Sequence, residues 1–231
     1  MSASAPRGRL DWSQITALLG GTFDPPHVGH LAAAQGLLRN PGVRQVRILP
    51  SETPPHKPSV ATPAQRLEMT RLAFAPAFKV DPRELERAGT GRPSYSYDTL
   101  RELQQELPGD RLAFVIGTDQ LAGLPRWHRF PDVLGLCHWI VLKRRGGVAL
   151  RDALPPLLAS NLLRPSGQDQ YAIPSGDRTL LLVETEAPEL SSTQIRQAIA
   201  RTGLIPEGAV TPEVSAYLKL HRIYGSEGVS H

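Results

Sequence analysis

Cysteine is almost missing from this sequence: Cys137 is the only one in 231 residues. No internal disulfide can form, and a reducing compartment, the cytoplasm, is the expected location. Long apolar runs are missing too. No stretch approaches the ~18 apolar residues of a membrane helix. The opening MSASAPRGRLDW lacks the hydrophobic core of a signal peptide. A membrane partner is therefore not expected. Charge of one sign is nowhere concentrated. The net charge is only +4, and no block of about five or six like charges occurs. Nucleic acid is thus not the expected partner, while a small anionic ligand suits the mild basic excess. Lysine is scarce, found only at Lys57, Lys79, Lys143 and Lys219. Neither an internal repeat nor a low-complexity tract is present.

The remaining pattern alternates strands with helices. Residues 1–13 are small, polar and proline-bearing, and read as a loose tail. Order is expected from Ile15, where ITALL runs into Gly20 and Gly21. A helix follows from Gly29 to about Arg39, with Leu31, Ala34, Leu37 and Leu38 as its apolar stripe. VRQVRILP reads as a strand stopped by Pro50. Thr62-Pro63 opens a helix carrying Leu67, Met69 and Leu72, with proline in the tolerated first-turn position. Phe78–Asp81 is a short strand, and a helix with Leu100, Leu103 and Leu107 on one face follows RPSYSYDTL. LAFVIG (Leu112–Gly117) and LCHWIVL (Leu136–Leu142) are near-continuous apolar runs, as in parallel strands buried on both faces. Thr179–Val183 is the last strand, and SSTQIRQAIA and PEVSAYLKLH are closing helices. The stretch Gly146–Gly176 has little periodicity and many prolines. Cys137, Trp12 and Trp139 read as structural.

This order predicts an α/β fold: a doubly wound, mainly parallel, Rossmann-like sheet with helices on both faces. A small C-terminal helical subdomain is expected over 186–231, after the main domain at 14–185. The oligomeric state is left open, a homo-oligomer included.

The densest chemical signal is GGTFDPPHVGH, Gly20 to His30, placed where the first strand turns into the first helix. Open α/β sheets bind ligands at such a turn. Gly20 and Gly21 allow a close backbone approach, and Pro25 and Pro26 stiffen the turn. His27 and His30 stand three apart on the first helical turn. The helix start already favours an anion, and two imidazoles add donors for a polyphosphate. In LSSTQIR, Ser191 and Gln194 fit a capping box. By itself that predicts only a well-capped helix. Arg196, however, is a cation near the positive end of the dipole, better understood if an anion lies between. Asp119, just past Gly117, could accept from a ribose hydroxyl or cap the short helix after it. Trp127 sits in a loop, as core filler or as a stacking surface. His56 and Lys57 lie beyond the second strand, either as a solvated basic loop or facing a phosphate.

These residues resemble the H-x-G-H signature of the nucleotidyltransferase superfamily. The whole string GGTFDPPHVGH looks like the bacterial nicotinate mononucleotide adenylyltransferase family in particular. PSETPPHKP, RPSYSYDTL, FVIGTDQLAGLPRW and LSSTQIR continue that likeness in order along the chain. The resemblance implies adenylyl transfer from ATP to nicotinate mononucleotide in NAD biosynthesis. It implies catalytic roles for His27, His30 and Arg196. ATP would be bound by these together with Gly20, Gly21, Thr22, Phe23, Gly117, Asp119, Ser192 and Thr193. Asp24, Lys57, Tyr95, Ser96 and Trp127 would bind the acceptor, with Trp127 stacked on the pyridine ring. Where Ser96 stands the family more often has threonine, and serine keeps the hydroxyl. Mg2+ would be held mainly by the ATP phosphates, and no protein metal site is expected. Alternatives are a nicotinamide mononucleotide or pantetheine-phosphate acceptor, or a non-catalytic nucleotide sensor. A cytidylyltransferase would carry a different carboxyl-terminal signature, and a class I aminoacyl-tRNA synthetase fragment a KMSKS-like loop.

Overall fold

The computed structural model describes residues 14–40, 42–52, 60–143, 150–185, 187–188 and 190–225. The readings for the tail, Trp12, His56 and Lys57 lie outside them. In chain order the elements are β1 (Ile15–Gly21), α1 (Val28–Leu38), β2 (Val43–Pro50), α2 (Pro63–Phe74), β3 (Lys79–Val80) and α3 (Arg83–Gly89). There follow α4 (Ser96–Glu106), β4 (Arg111–Gly117), α5 (Thr118–Gly123), β5 (His138–Lys143) and α6 (Leu150–Ala159). The last are β6 (Arg164–Gly167), β7 (Gln170–Ile173), β8 (Arg178–Glu184), α7 (Ser192–Thr202) and α8 (Pro212–Leu220).

The strands form one eight-stranded sheet in the order β3-β2-β1-β4-β5-β8-β7-β6. Pairing is parallel from β3 through to β8. The hairpin β6–β7 then adds an antiparallel edge. Strand order reverses between β1 and β4, so connections leave in opposite directions and a crevice opens at their carboxyl ends. Each central strand sends alternate residues to opposite faces. Ile15, Ala17 and Leu19 pack with α1, α2, α7 and α8, through Ala34, Met69, Ile195, Ile199, Val214 and Leu218. Leu18, Phe114, Ile116, Trp139 and Val141 pack on the other face with Leu100, Leu103, Leu154 and Leu157 of α4 and α6.

Several expectations need correction. Leu38 is exposed, and α1 buries Gly29, Ala33, Ala34 and Leu37 instead. Adjacent helical positions diverge by about 100°, so Leu37 and Leu38 cannot both face one sheet. On α2 the inward side is Arg66, Met69, Thr70, Ala73 and Phe74, while Leu72 only borders the core. β5 begins at His138, because a 3-10 turn over Asp132–Gly135 still occupies the chain before it. Cys137 in that bend is buried, and burial pushes its thiol up to about 12, which makes it inert. Trp139 is fully buried, with its indole N–H donating to the Leu134 carbonyl. The unreadable stretch holds α6 and the β6–β7 hairpin. Pro155 and Pro156 lie inside α6 and mask its period, while Ala153, Leu154 and Leu157 still dock on the sheet.

Candidate active site

The crevice at the strand-order reversal contains a cleft of about 260 Å³. Its floor is the ends of β1 and β4, and the first turns of α1 and α7 face it. Gly20, Gly21, Thr22, Phe23, His27, His30, Gly117, Asp119, Ser192, Thr193 and Arg196 all line it. All the positions read from the sequence as ATP-binding therefore come together, although α7 lies more than 160 residues from α1.

The glycines serve the protein's own rings. A Cβ on Gly20 would stand 3.2 Å from the Phe114 ring tip, and one on Gly21 would stand 2.9 Å from Phe23. At Gly117 the space is taken by the Asp119 carboxylate, 2.6 Å from where a Cβ would be. A side chain at any of these positions would have to displace the ring or the carboxylate. Phe23 itself has φ 49, a left-handed conformation that turns the chain sharply after β1.

His27 caps α1 and His30 is its third residue. Their rings stack with centroids 3.7 Å apart, and Phe23 meets His30 edge-on at 5.0 Å. The His27 backbone N–H donates to His30 Nδ1 over 3.2 Å. A neutral His30 with Nδ1 as acceptor carries its proton on Nε2, where it is a donor. A Cβ on Gly29, between them, would crowd the His27 ring at 3.0 Å.

Across the cleft, Ser191 and Gln194 form the capping box of α7. Ser192 Oγ donates to the Pro25 carbonyl at 2.8 Å and ties α7 to the β1–α1 loop. Arg196 Nη1 donates to the Asp24 carbonyl at 2.7 Å and stands 3.8 Å from the Asp24 carboxylate. The anion that offsets a cation near this helix start is therefore supplied in part by the protein. Asp24 was expected to touch the acceptor. It is 3% exposed, and its carboxylate accepts from Tyr224 and from the backbone N–H groups of Val60 and Ala61. Asp24 also lines the cleft, and these bonds hold its loop in place there.

Tyr95, Ser96 and Trp127 lie outside the lining of this cleft. Tyr95 is the N-cap of α4 and Ser96 its first residue, so the N–H groups of Ser96 and Tyr97 precede the helix's own ladder. The Tyr95 ring stacks on His128 at 4.0 Å, which brings the start of α4 beside the loop carrying Trp127. Trp127 is half-buried and meets Phe114 and Trp139 edge-on, both at 6.0 Å. Phe114 is the same ring that fills the space over Gly20, so it lies between the cleft and Trp127. A charged network supports the start of α4. Arg87 donates to Ser94 Oγ, Thr99 Oγ1 and Glu102, and Glu52 accepts the Ser94 N–H.

The Cytidylyltransferase-like family profile matches residues 18–198. A protein of Pseudomonas putida named "Probable nicotinate-nucleotide adenylyltransferase" is 38% identical over 97% of this chain and 98% of its own length. One of Laribacter hongkongensis, with the same name, is 41% identical over 91% and 94%. The chain belongs to the nicotinate-nucleotide adenylyltransferase family. Its fold also matches the structure titled "Plasmodium falciparum nicotinic acid mononucleotide adenylyltransferase complexed with NaAD", with a TM-score of 0.67. That match is 14% identical and covers 91% of this chain and 97% of that one.

Sequence reasoning about this member of the nicotinate-nucleotide adenylyltransferase family missed three residues around the site. Arg66 is 1% exposed, and its Nη1 donates to the carbonyls of Thr22 and Ser51, joining the ends of β1 and β2. Burial lowers its pKa, and Asp24 partly opposes that. His128 and Tyr224 are the others. An arginine in the apolar period of α2 was the available signal for Arg66. The neighbour Trp127 was the one for His128. Tyr224 had none.

Proposed function

We propose that this chain transfers the adenylyl group of ATP to nicotinate mononucleotide, releasing pyrophosphate and forming nicotinate adenine dinucleotide. The observation that carries this reading is the convergence of two helix starts, with His27, His30, Ser192, Thr193 and Arg196, on one cleft in a member of this family. The relative in complex with NaAD supports the choice of dinucleotide. The dipoles of both helix starts favour an anion; at α1 the Val28 and His30 N–H groups already donate to the Ala209 and His27 carbonyls, so the imidazole and guanidinium groups supply charge-assisted donors. Together they fit a triphosphate. Tyr95, Ser96 and Trp127 are then the acceptor side, with the pyridine against Trp127 and its carboxylate at the start of α4.

In the reaction, an oxygen of the acceptor's phosphate forms a bond to the α-phosphorus. The bond from that phosphorus to the α–β bridging oxygen breaks, and its electron pair leaves with pyrophosphate. The nucleophile needs no general base, because a phosphate monoester with pKa ~6 is largely dianionic at neutral pH. The protein's contribution is alignment and stabilisation of charge on the leaving group. His27 and His30 would act on the α- to γ-phosphates, with Arg196 and the Ser192–Thr193 turn holding the remainder. Among the described residues, no group of three or more His, Cys, Asp or Glu is placed to hold a metal ion. We take Mg2+ to enter with ATP, held by its phosphates and water, where it would neutralise their charge. Purified protein incubated with ATP, Mg2+ and each of nicotinate mononucleotide, nicotinamide mononucleotide and pantetheine phosphate tests the reading. Pyrophosphate and dinucleotide should form fastest with the first. No pyrophosphate with any acceptor would overturn the assignment.

A further inference from the structure

The β1–α1 loop is held from behind by a residue of the turn over residues 222–225. Tyr224, 200 residues beyond Asp24, places its hydroxyl 2.5 Å from Asp24 Oδ1. The same oxygen accepts the Ala61 N–H at 3.3 Å, and Oδ2 accepts the Val60 N–H at 3.1 Å. Oδ2 also faces Arg196 Nη1 at 3.8 Å, while the Asp24 carbonyl accepts from that nitrogen at 2.7 Å. The guanidinium is held on its other side by Thr193 Oγ1, 3.3 Å from Nη2. The orientation of Arg196 thus depends on where residue 24 is pinned.

We propose that Tyr224 is a positioning residue for Arg196, acting through Asp24 to aim the guanidinium into the nucleotide cleft. The proposal rests on the reading that Arg196 holds ATP phosphates. Two features of the terminal turn support it. Tyr224 has φ 62 and Arg222 has φ 49, left-handed conformations that L-residues disfavour and that surrounding contacts must hold in place. The Tyr224 side chain is also buried in the core formed by Ile195, Ile199 and Val214. A tyrosine there could fill space without reaching a partner, yet its hydroxyl meets a carboxylate that touches a cleft cation. Burial and the neighbouring Asp24 raise its pKa well above the ordinary tyrosine value, so it remains a donor.

The test compares Tyr224→Phe, Arg196→Ala and the double variant. Phenylalanine keeps the ring in the core and removes only the hydroxyl. KM for ATP should rise about tenfold in Tyr224→Phe, the loss expected for one hydrogen bond to a charged group. KM for nicotinate mononucleotide should move by less than about twofold. In the Arg196→Ala background the phenylalanine should add no further loss toward ATP, because its effect passes through the missing guanidinium. Thermal unfolding separates the structural contribution. A lowered Tm with an unchanged ATP KM would overturn the proposal, as would losses that multiply in the double variant. If Arg196→Ala weakens ATP while Tyr224→Phe does not, the relay alone fails. If Arg196→Ala leaves ATP untouched, the relay and the reading of Arg196 fail together.

Discussion

The two halves of the site are built differently. The half proposed for ATP is a lined cleft whose polar groups are tied across the chain: Ser192 to Pro25, Arg196 to Asp24, Tyr224 to Asp24, Arg66 to Thr22. The half proposed for the acceptor has two aromatic surfaces, Tyr95 on His128 and Trp127 on Phe114. Ions bind where donors are fixed before the ligand arrives, since reorganising them at the moment of reaction would cost binding energy. A flat ring needs only a face to lie on, and stacking tolerates small displacements. The first half is therefore held by cross-links and the second by packing.

Removing a donor from the cross-linked half should have the largest effect. His30→Ala should lower kcat by about two orders of magnitude or more, since one preorganised donor is worth ~2.7–4 kcal/mol. Some stability should be lost as well, because His30 stacks on His27 and meets Phe23. Turnover near wild type, measured by pyrophosphate release, would break the comparison at its strongest point. Next in size is the choice of acceptor. The start of α4 offers N–H groups at the positive end of a dipole, and these suit a carboxylate. A carboxamide would bring donors to donors. A preference for nicotinate over nicotinamide mononucleotide of at least ~100-fold in kcat/KM is expected. Parity of the two would leave adenylyl transfer standing and remove the account of the acceptor edge.

A smaller effect separates the halves directly. Trp127→Ala should cost ~1–3 kcal/mol in acceptor binding, as aromatic stacking on bases does, and little toward ATP. Arg196→Ala should do the reverse. Equal losses on both substrates would mean that the subsites are misplaced. The smallest effect concerns the support under α4. Glu84 is buried beside Thr99, Arg87, Asp81 and Arg83, and burial raises its carboxyl to about 7 from 4.5. A carboxyl whose folded pKa is raised is stabilising in its neutral form. Its contribution is full below about 4.5 and is lost as pH rises toward about 7. The gap in Tm between Glu84→Gln and wild type should therefore widen in favour of the variant between about pH 5 and about pH 8. A gap independent of pH would show that Glu84 is already ionised in the folded protein.

The cleft was legible because its chemistry is local. Gly20 to His30 is one turn between one strand and one helix, and Ser191 to Gln194 is one capping box. Short-range geometry determines both. The acceptor residues were named from family resemblance, and the structure adds what the spacing of residues could not: Tyr95 against His128, and Trp127 against Phe114. Asp24 shows the limit most clearly. A carboxylate inside such a string reads as a ligand contact; Asp24 does line the cleft, but it also bonds residues 60, 61 and 224 and faces Arg196, contacts no local pattern shows. The region of α6 and the β6–β7 hairpin was unreadable for another reason. Two prolines break the helical period of α6, and β6 is exposed along its whole length, so neither shows the alternation that burial imposes.

The sequence by itself determined the parallel core, the two helix starts that face the cleft and the residue types that line it. Apolar period, proline placement and capping are local properties, with energies that depend on neighbours within a few positions. Only the tertiary structure decided that β1 and β4 lie side by side where the strand order reverses, and that α7 crosses back to face α1. It alone brought Arg66 under Thr22 and Tyr224 onto Asp24. Such contacts join residues as many as 200 positions apart. They form because a buried polar group must find a partner wherever the packed chain places one, and no local pattern encodes which partner that will be.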